Sequence, residues 1–172
     1  MKKLLAFALL LSCFVAGAQN FEGTFTQAKT LKASGKVIKS EGNITFTAPD
    51  QLAMLYTNPN GDYFIIDGPL VRMDLRGVAL DVDSKTNKLV ASQRNALLYS
   101  ILGEYEKVAE EMDASCTVTQ KNGGKHVVIK ARKVVPKGYS GLELDYGKNG
   151  RITRLVLEEF GGISTEYVLN TK

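Results

Sequence analysis

Residues that could perform acid–base, nucleophilic or metal chemistry are few in this chain, and they do not cluster. His126 is the single histidine, and its strand-like pattern turns it away from the apolar Val127 and Ile129. No second histidine or cysteine stands at the spacing of a zinc site, no serine lies in a G-x-S-x-G turn, and the glycines fall in turns and bends instead of a phosphate-binding loop. The sequence therefore predicts a protein that is not an enzyme and needs no metal and no cofactor.

Apolar side chains instead form two patterns that could bind apolar groups. On strand-like segments they alternate with polar residues, and on a later segment they recur with the helical period. The candidate binding residues are Phe46, Leu52, Met54, Tyr56, Phe64 and Ile66 on the strands and Leu98, Ile101, Leu102 and Tyr105 on the helix. The two faces could pack together as an ordinary core or line a site for a lipid chain, and the residues alone leave both interpretations open.

The strand pattern dominates the chain. Residues 40–68 read as three consecutive strands joined by turns that contain Pro and Gly. Further strands precede and follow them, with hairpin turns at Asn122-Gly123-Gly124 and Gly161-Gly162. About ten or eleven strands with one helical insertion predict a mainly β (α+β) fold whose sheet must curl, close or be covered.

The helical insertion is predicted between Ser92 and Ala114. Its apolar residues follow one face of a helix, and Ser92 is a plausible N-cap. Gly103 costs about 1 kcal/mol in a helix interior relative to alanine. The segment is therefore expected to form two helices or to kink at this glycine.

The N-terminus predicts export from the cytoplasm. Lys2 and Lys3 precede a short apolar run that ends in a small-residue cleavage motif, so residues 1–18 are expected to be a signal peptide cleaved after Ala18. A lipoprotein signal anchored through Cys13 is the alternative. The mature chain would keep Cys116, which is expected to be a buried small apolar residue.

Composition is that of one folded domain, assigned to residues 19–172. The chain has 172 residues, a formal net charge of +4 and no tryptophan. Its lysines are spread along the strands, so the weak basic balance does not predict nucleic-acid binding.

Several short motifs follow one another over about fifty residues, and together they resemble the LolA-type carriers of outer-membrane lipoproteins. The matching pieces are Phe25-Thr26-Gln27-Ala28-Lys29, Ser40-Glu41-Gly42, Ala48-Pro49-Asp50, Thr57-Asn58-Pro59, and Asp67-Gly68 followed by Val71-Arg72-Met73.

This resemblance implies a strongly curved, unclosed antiparallel sheet, a half-barrel, with the helical segment over its concave face. It also implies a periplasmic carrier that binds the acyl chains of lipoproteins or other lipids, with Leu52, Met54 and Tyr56 facing the cavity. An inner-membrane release complex and an outer-membrane acceptor would be its partners, and the carrier is expected to be a monomer. The alternative is a sensor or scaffold domain of the same fold that recognises a protein or lipid signal and transports nothing.

The chain departs from the family at the turn before the third of its strands. Many members carry an arginine before the proline of this turn, where it latches the helical lid. Here that position is Ala48. A lipid-binding role depends less on this latch than a lipoprotein hand-off does.

Overall fold

The computed structural model describes residues 20–133 and 137–172. The predicted signal peptide and Cys13 lie outside these residues. The strands are β1 (Phe21–Leu31), β2 (Lys36–Thr47), β3 (Gln51–Asn58), β4 (Asn60–Asp67), β5 (Leu70–Leu75), β6 (Val78–Asp83), β7 (Ala114–Lys121), β8 (Gly124–Ala131), β9 (Tyr139–Tyr146), β10 (Ile152–Glu159) and β11 (Ile163–Thr171). The helices are α1 (Lys88–Leu102) and α2 (Tyr105–Glu111), preceded by a 3₁₀ turn at Ser84–Thr86.

All eleven strands belong to one antiparallel sheet. Their order is β6-β5-β4-β3-β2-β1-β11-β10-β9-β8-β7, so two meanders meet where β1 pairs with β11. In the part of the chain that the structure describes, β6 and β7 are the two edges and do not pair with each other. The predictions of a mainly β fold, of ten or eleven strands and of an unclosed sheet are confirmed. Strong curvature stays a prediction.

Side chains on one face of β2 to β6 form two parallel apolar rows across the sheet. The strand register places Ile44 beside Met54 and Met54 beside Phe64. The neighbouring row joins Phe46 to Leu52 and Leu52 to Ile66. Because alternate residues of a strand share a face, both rows point to the same side, and the core forms there.

A bulge interrupts the pairing of β2 with β3. Glu41 pairs with Asn58 and Gly42 pairs with Tyr56, which leaves Thr57 as an extra residue. A side chain at Gly42 could not be accommodated, since its Cβ would lie 2.2 Å from the carbonyl oxygen of Leu55. The glycine therefore permits the close approach of the two backbones.

The helical segment is divided as predicted but begins earlier than predicted. Ser92 is not the N-cap. Asn87 caps α1, and its side-chain oxygen accepts hydrogen bonds from the backbone N–H groups of Leu89 and Val90. Gly103 ends α1 in the left-handed conformation, with φ of 76°, and α2 begins two residues later, at Tyr105.

Cys116 is exposed, which contradicts its prediction as a buried residue. It lies on β7, an edge strand, two residues after the buried Ala114. α2 ends at Glu111, and the edge position leaves the thiol without a neighbouring strand on one side.

Candidate functional site

A cavity of about 270 Å³ lies between α1 and one face of the sheet. This volume is just below the range of about 300–1,000 Å³ that is usual for small-molecule pockets. The residues that line it are mostly apolar, and they come from α1 and from both meanders of the sheet. The apolar and aromatic members are Ile44, Leu52, Met54, Tyr56, Phe64, Val71, Met73, Leu75, Leu80, Val90, Leu97, Ile101, Tyr139, Leu155, Leu157, Tyr167 and Leu169.

One row of side chains forms the floor of the cavity. It continues across five neighbouring strands through Ile44, Met54, Phe64, Met73 and Leu80, each paired with the next. All five line the cavity. The two methionines give this floor unbranched, polarisable side chains that adapt to different apolar shapes.

The roof is one face of α1. Val90, Arg94, Leu97 and Ile101 line the cavity, and their spacing of three or four residues places them on one side of the helix. The roof therefore includes Val90, in the first turn of α1, which was predicted to lie outside the helix.

Half of the ten predicted binding residues lie at the cavity wall, namely Leu52, Met54, Tyr56, Phe64 and Ile101. The other five pack in the core outside this wall. Phe46, Ile66, Leu98 and Tyr105 are buried there, and Leu102 is half-buried against the core. Phe46 and Ile66 belong to the second row of the sheet, where Phe46 stacks on Phe21 with ring centroids 5.6 Å apart.

Several lining residues were not predicted. On the strands, Met73 and Leu80 extend the alternation found in β2 to β4, so that pattern could have identified them. On the helix, Val90 precedes the predicted start, and Leu97 is one position away from the predicted apolar face. Leu155, from the second meander, reaches the cavity only through the pairing of β1 with β11, which no local pattern reveals.

One end of the cavity is polar. Gln27 of β1 pairs with Tyr167 of β11, and its Nε2 atom donates a hydrogen bond to the Tyr167 hydroxyl at 2.9 Å. Burial raises the pKa of Tyr56 to about 12, and it raises the pKa of Tyr167 well above its ordinary value. Both hydroxyls therefore stay neutral and keep their protons at physiological pH.

Arg94 joins the roof to the sheet. Its Nε atom donates to the carbonyl oxygen of Gly68 at 2.7 Å, and its Nη2 atom donates to Asp50 Oδ2 at 3.3 Å. Gly68 follows β4 and Asp50 precedes β3. The helix is thus fastened to two adjacent turns, one of which holds Ala48, the position of the family's latch arginine.

The single histidine belongs to an ion network on the opposite face of the sheet from the buried Val127. His126 Nδ1 lies 2.6 Å from Asp145 Oδ1, and Lys121 Nζ lies 2.9 Å from Asp145 Oδ2. Within residues 20–133 and 137–172, no group of three or more His, Cys, Asp or Glu side chains could hold a metal ion. In the same ranges, no helix is long and apolar enough to cross a membrane.

Comparison with known proteins identifies the family. No curated protein sequence matches the chain. Among solved structures, it is similar to NE2245, a LolA superfamily protein from Nitrosomonas europaea, at 10% identity over 91% of this chain and 86% of that one, with a TM-score of 0.43. It is also similar to a chain of the Pseudomonas aeruginosa MucA/MucB complex, at 14% identity over 91% and 53% of the two chains, with a TM-score of 0.47.

A further match is a putative outer membrane lipoprotein-sorting protein domain from Vibrio parahaemolyticus, at 9% identity over 89% and 84% of the two chains, with a TM-score of 0.40. The family described as "Outer membrane lipoprotein carrier protein LolA" matches residues 16–171. This match spans nearly the whole sequence, and the chain belongs to the LolA family.

Proposed function

We propose that this protein is a periplasmic carrier that shields lipid acyl chains, those of outer-membrane lipoproteins, between its sheet and α1. The observation that supports this is the apolar cavity in a chain of the LolA family. Binding requires no covalent step, metal or cofactor, because the free energy comes from removing hydrocarbon from water.

The energetics are sufficient for a carrier. Each buried methylene contributes about 0.8 kcal/mol, so a chain of a dozen gains roughly 10 kcal/mol before the costs of association are subtracted. A cavity of about 270 Å³ is small for a whole acyl chain. Loading therefore requires α1 to move away from the floor row, and the free energy of that movement reduces the affinity.

Release would use the same outward movement of α1. A partner that separates α1 from the sheet would expose the bound chain and hand it on. By family, an inner-membrane release complex would load the carrier and an outer-membrane acceptor would unload it. We propose that the carrier acts as a monomer with one cargo molecule.

The deciding experiment is native mass spectrometry of the protein purified from the periplasm, with extraction and identification of any bound molecule. Co-purified lipid or acylated lipoprotein supports the carrier and names its cargo. An empty protein that also fails to take up added lipid or lipoprotein contradicts it, and favours a sensor or scaffold whose apolar interface is only a core. The same spectrum gives the mature mass, which distinguishes cleavage after Ala18 from lipidation at Cys13.

A further inference from the structure

The two ends of the cavity differ in chemistry. The wall formed by β4–β6 is hydrocarbon, whereas Gln27 of β1, Tyr56 of β3 and Tyr167 of β11 contribute an amide and two hydroxyls. Placing polar groups away from bulk water costs free energy unless they form hydrogen bonds. A cavity that held only hydrocarbon would gain nothing from them.

One hydrogen bond within this cluster has a fixed direction. Gln27 donates to the Tyr167 hydroxyl at 2.9 Å, and Tyr56 lines the same cavity. Among the described residues, the hydrogen bonds that involve tyrosine hydroxyls include none that Tyr56 donates to another group. Tyr56 is only 5% exposed and lines the cavity. Its proton is therefore available to a molecule inside.

The charges at this end favour a neutral acceptor. Lys29 and Glu159 both line the cavity there, so the end carries one positive and one negative side chain. Arg94 also lines the cavity, but its charge is shared with Asp50. With no excess of positive charge, a carboxylate or phosphate has no electrostatic advantage over an uncharged oxygen.

We propose that Tyr56 donates a hydrogen bond to the carbonyl oxygen of the ester or amide through which a bound acyl chain is attached. The hydrocarbon then extends from this carbonyl toward the floor row and α1. This inference rests on the proposed carrier function. It adds a specificity, because the site prefers acyl chains to alkyl chains of equal length that are joined through an ether.

The test compares two single-chain phospholipids that differ only in this linkage, a 1-acyl and a 1-O-alkyl lysophosphatidylcholine of equal chain length. Each is titrated below its micelle concentration against the full protein that holds a fluorescent alkyl probe. The wild type is expected to bind the acyl lipid about 3- to 10-fold more tightly, the value of one hydrogen bond. Tyr56→Phe keeps the ring that packs on Phe25, with centroids 5.0 Å apart, and is expected to bind both lipids with the affinity of the wild type for the alkyl lipid.

Two further variants keep the result interpretable. Gln27→Leu removes the amide that donates to the Tyr167 hydroxyl and is expected to weaken the preference without changing the affinity for the alkyl lipid. Tyr105→Phe removes a hydroxyl that lies 3.5 Å from Lys125 Nζ, outside the cavity wall, and should keep the full preference. A wild type that binds both lipids equally, or a Tyr56→Phe variant that still prefers the acyl lipid, overturns the inference alone. A wild type that binds neither lipid overturns the carrier function as well.

Discussion

The Nε atom of Arg94 on α1 lies 2.7 Å from the carbonyl oxygen of Gly68, in the turn between β4 and β5. Only 15% of the Arg94 side chain is exposed, so this charged hydrogen bond is formed largely away from water. The planar guanidinium reaches Asp50 with a second nitrogen, a geometry that a lysine could not reproduce. These two hydrogen bonds of Arg94 hold α1 over the cavity.

Arg94→Met is expected to loosen α1. Hydrogen bonds to charged groups contribute about 1.5–3 kcal/mol each, so the free energy of unfolding should fall by about that amount in urea titrations. Amide hydrogen exchange across residues 90–101 should also accelerate. Arg132→Met is the control, because its ion pair with Asp113 is exposed on both sides and should contribute little to stability. Unchanged exchange in α1 of Arg94→Met would show that other contacts hold the helix.

Ile101 and Leu102 are neighbours with different positions, and they provide a matched test of the cavity. Ile101 lines it, whereas Leu102 packs against the core outside it. A carboxylate at residue 101 would face the guest and repel hydrocarbon. Ile101→Asp is therefore expected to lower lipid affinity at least about tenfold more than Leu102→Asp.

Both variants must be compared at equal folded fractions, which circular dichroism reports. The cavity assignment would be contradicted if Leu102→Asp, still folded, lost as much lipid affinity as Ile101→Asp. Measurement of probe displacement by one lipid is sufficient for this comparison.

Gly42→Ala tests the bulge between β2 and β3. The added Cβ would lie 2.2 Å from the Leu55 carbonyl oxygen, and backbone atoms cannot yield as a flexible side chain can. We expect a loss of about 2–3 kcal/mol in unfolding free energy, at the upper end of single-substitution effects. Glu41→Ala, at the exposed preceding residue, should change stability by less than about 0.5 kcal/mol. Equal stability of the two variants would refute the steric argument.

Asp145 makes the stability of the second meander dependent on pH. Burial alone would raise its pKa, but hydrogen bonds and charges from Lys121 and His126 together lower it below its ordinary value. A lowered folded pKa stabilises the protein above the unfolded pKa of about 3.9 and loses that contribution as the pH falls through the folded value.

Asp145→Asn should therefore cost roughly 1–2 kcal/mol at neutral pH, and its stability should converge with that of the wild type as the pH falls below the lowered folded pKa of Asp145. Chemical denaturation from neutral to acidic pH measures both the loss of stability at neutral pH and the convergence with the wild type at low pH. Asp81→Asn is the control, because Asp81 is exposed and lies 3.7 Å from Arg72. A difference between Asp145→Asn and wild type that persisted undiminished at low pH would argue against the ion network.

Strands were the part of the fold that the sequence could predict well. The three strands predicted over residues 40–68 correspond to β2, β3 and β4 in the structure, because period-two alternation and Pro or Gly turns are local signals. The start of α1 was not predicted, since Asn87 is followed by Lys88 and Leu89 with no acidic residue in the first turn. Because the regular apolar spacing begins only after Ser92, the helix was predicted to begin at that residue.

The cavity wall depends on long-range pairing, which local patterns do not contain. Alternation shows that Leu52 and Met54 share a face, but only the register reveals that Met54 lies between Ile44 and Phe64 in the floor row. Similarly, Leu97 and Leu98 differ by about 100° around the helix. The choice of which one faces the cavity is made by Arg94 and the turns that it contacts.

The two helices connect β6 to β7, which are the opposite margins of the sheet. The helical segment is therefore joined to the sheet at both of its ends, and neither end is free to move away independently. The cavity can enlarge for a bound molecule if the helices move outward from the sheet or if the two edge strands shift relative to each other. Under the proposed carrier function, loading of the cavity would be coupled to the breadth of the entire sheet, and a partner that binds either edge would change the space beneath the helices without contacting the bound molecule.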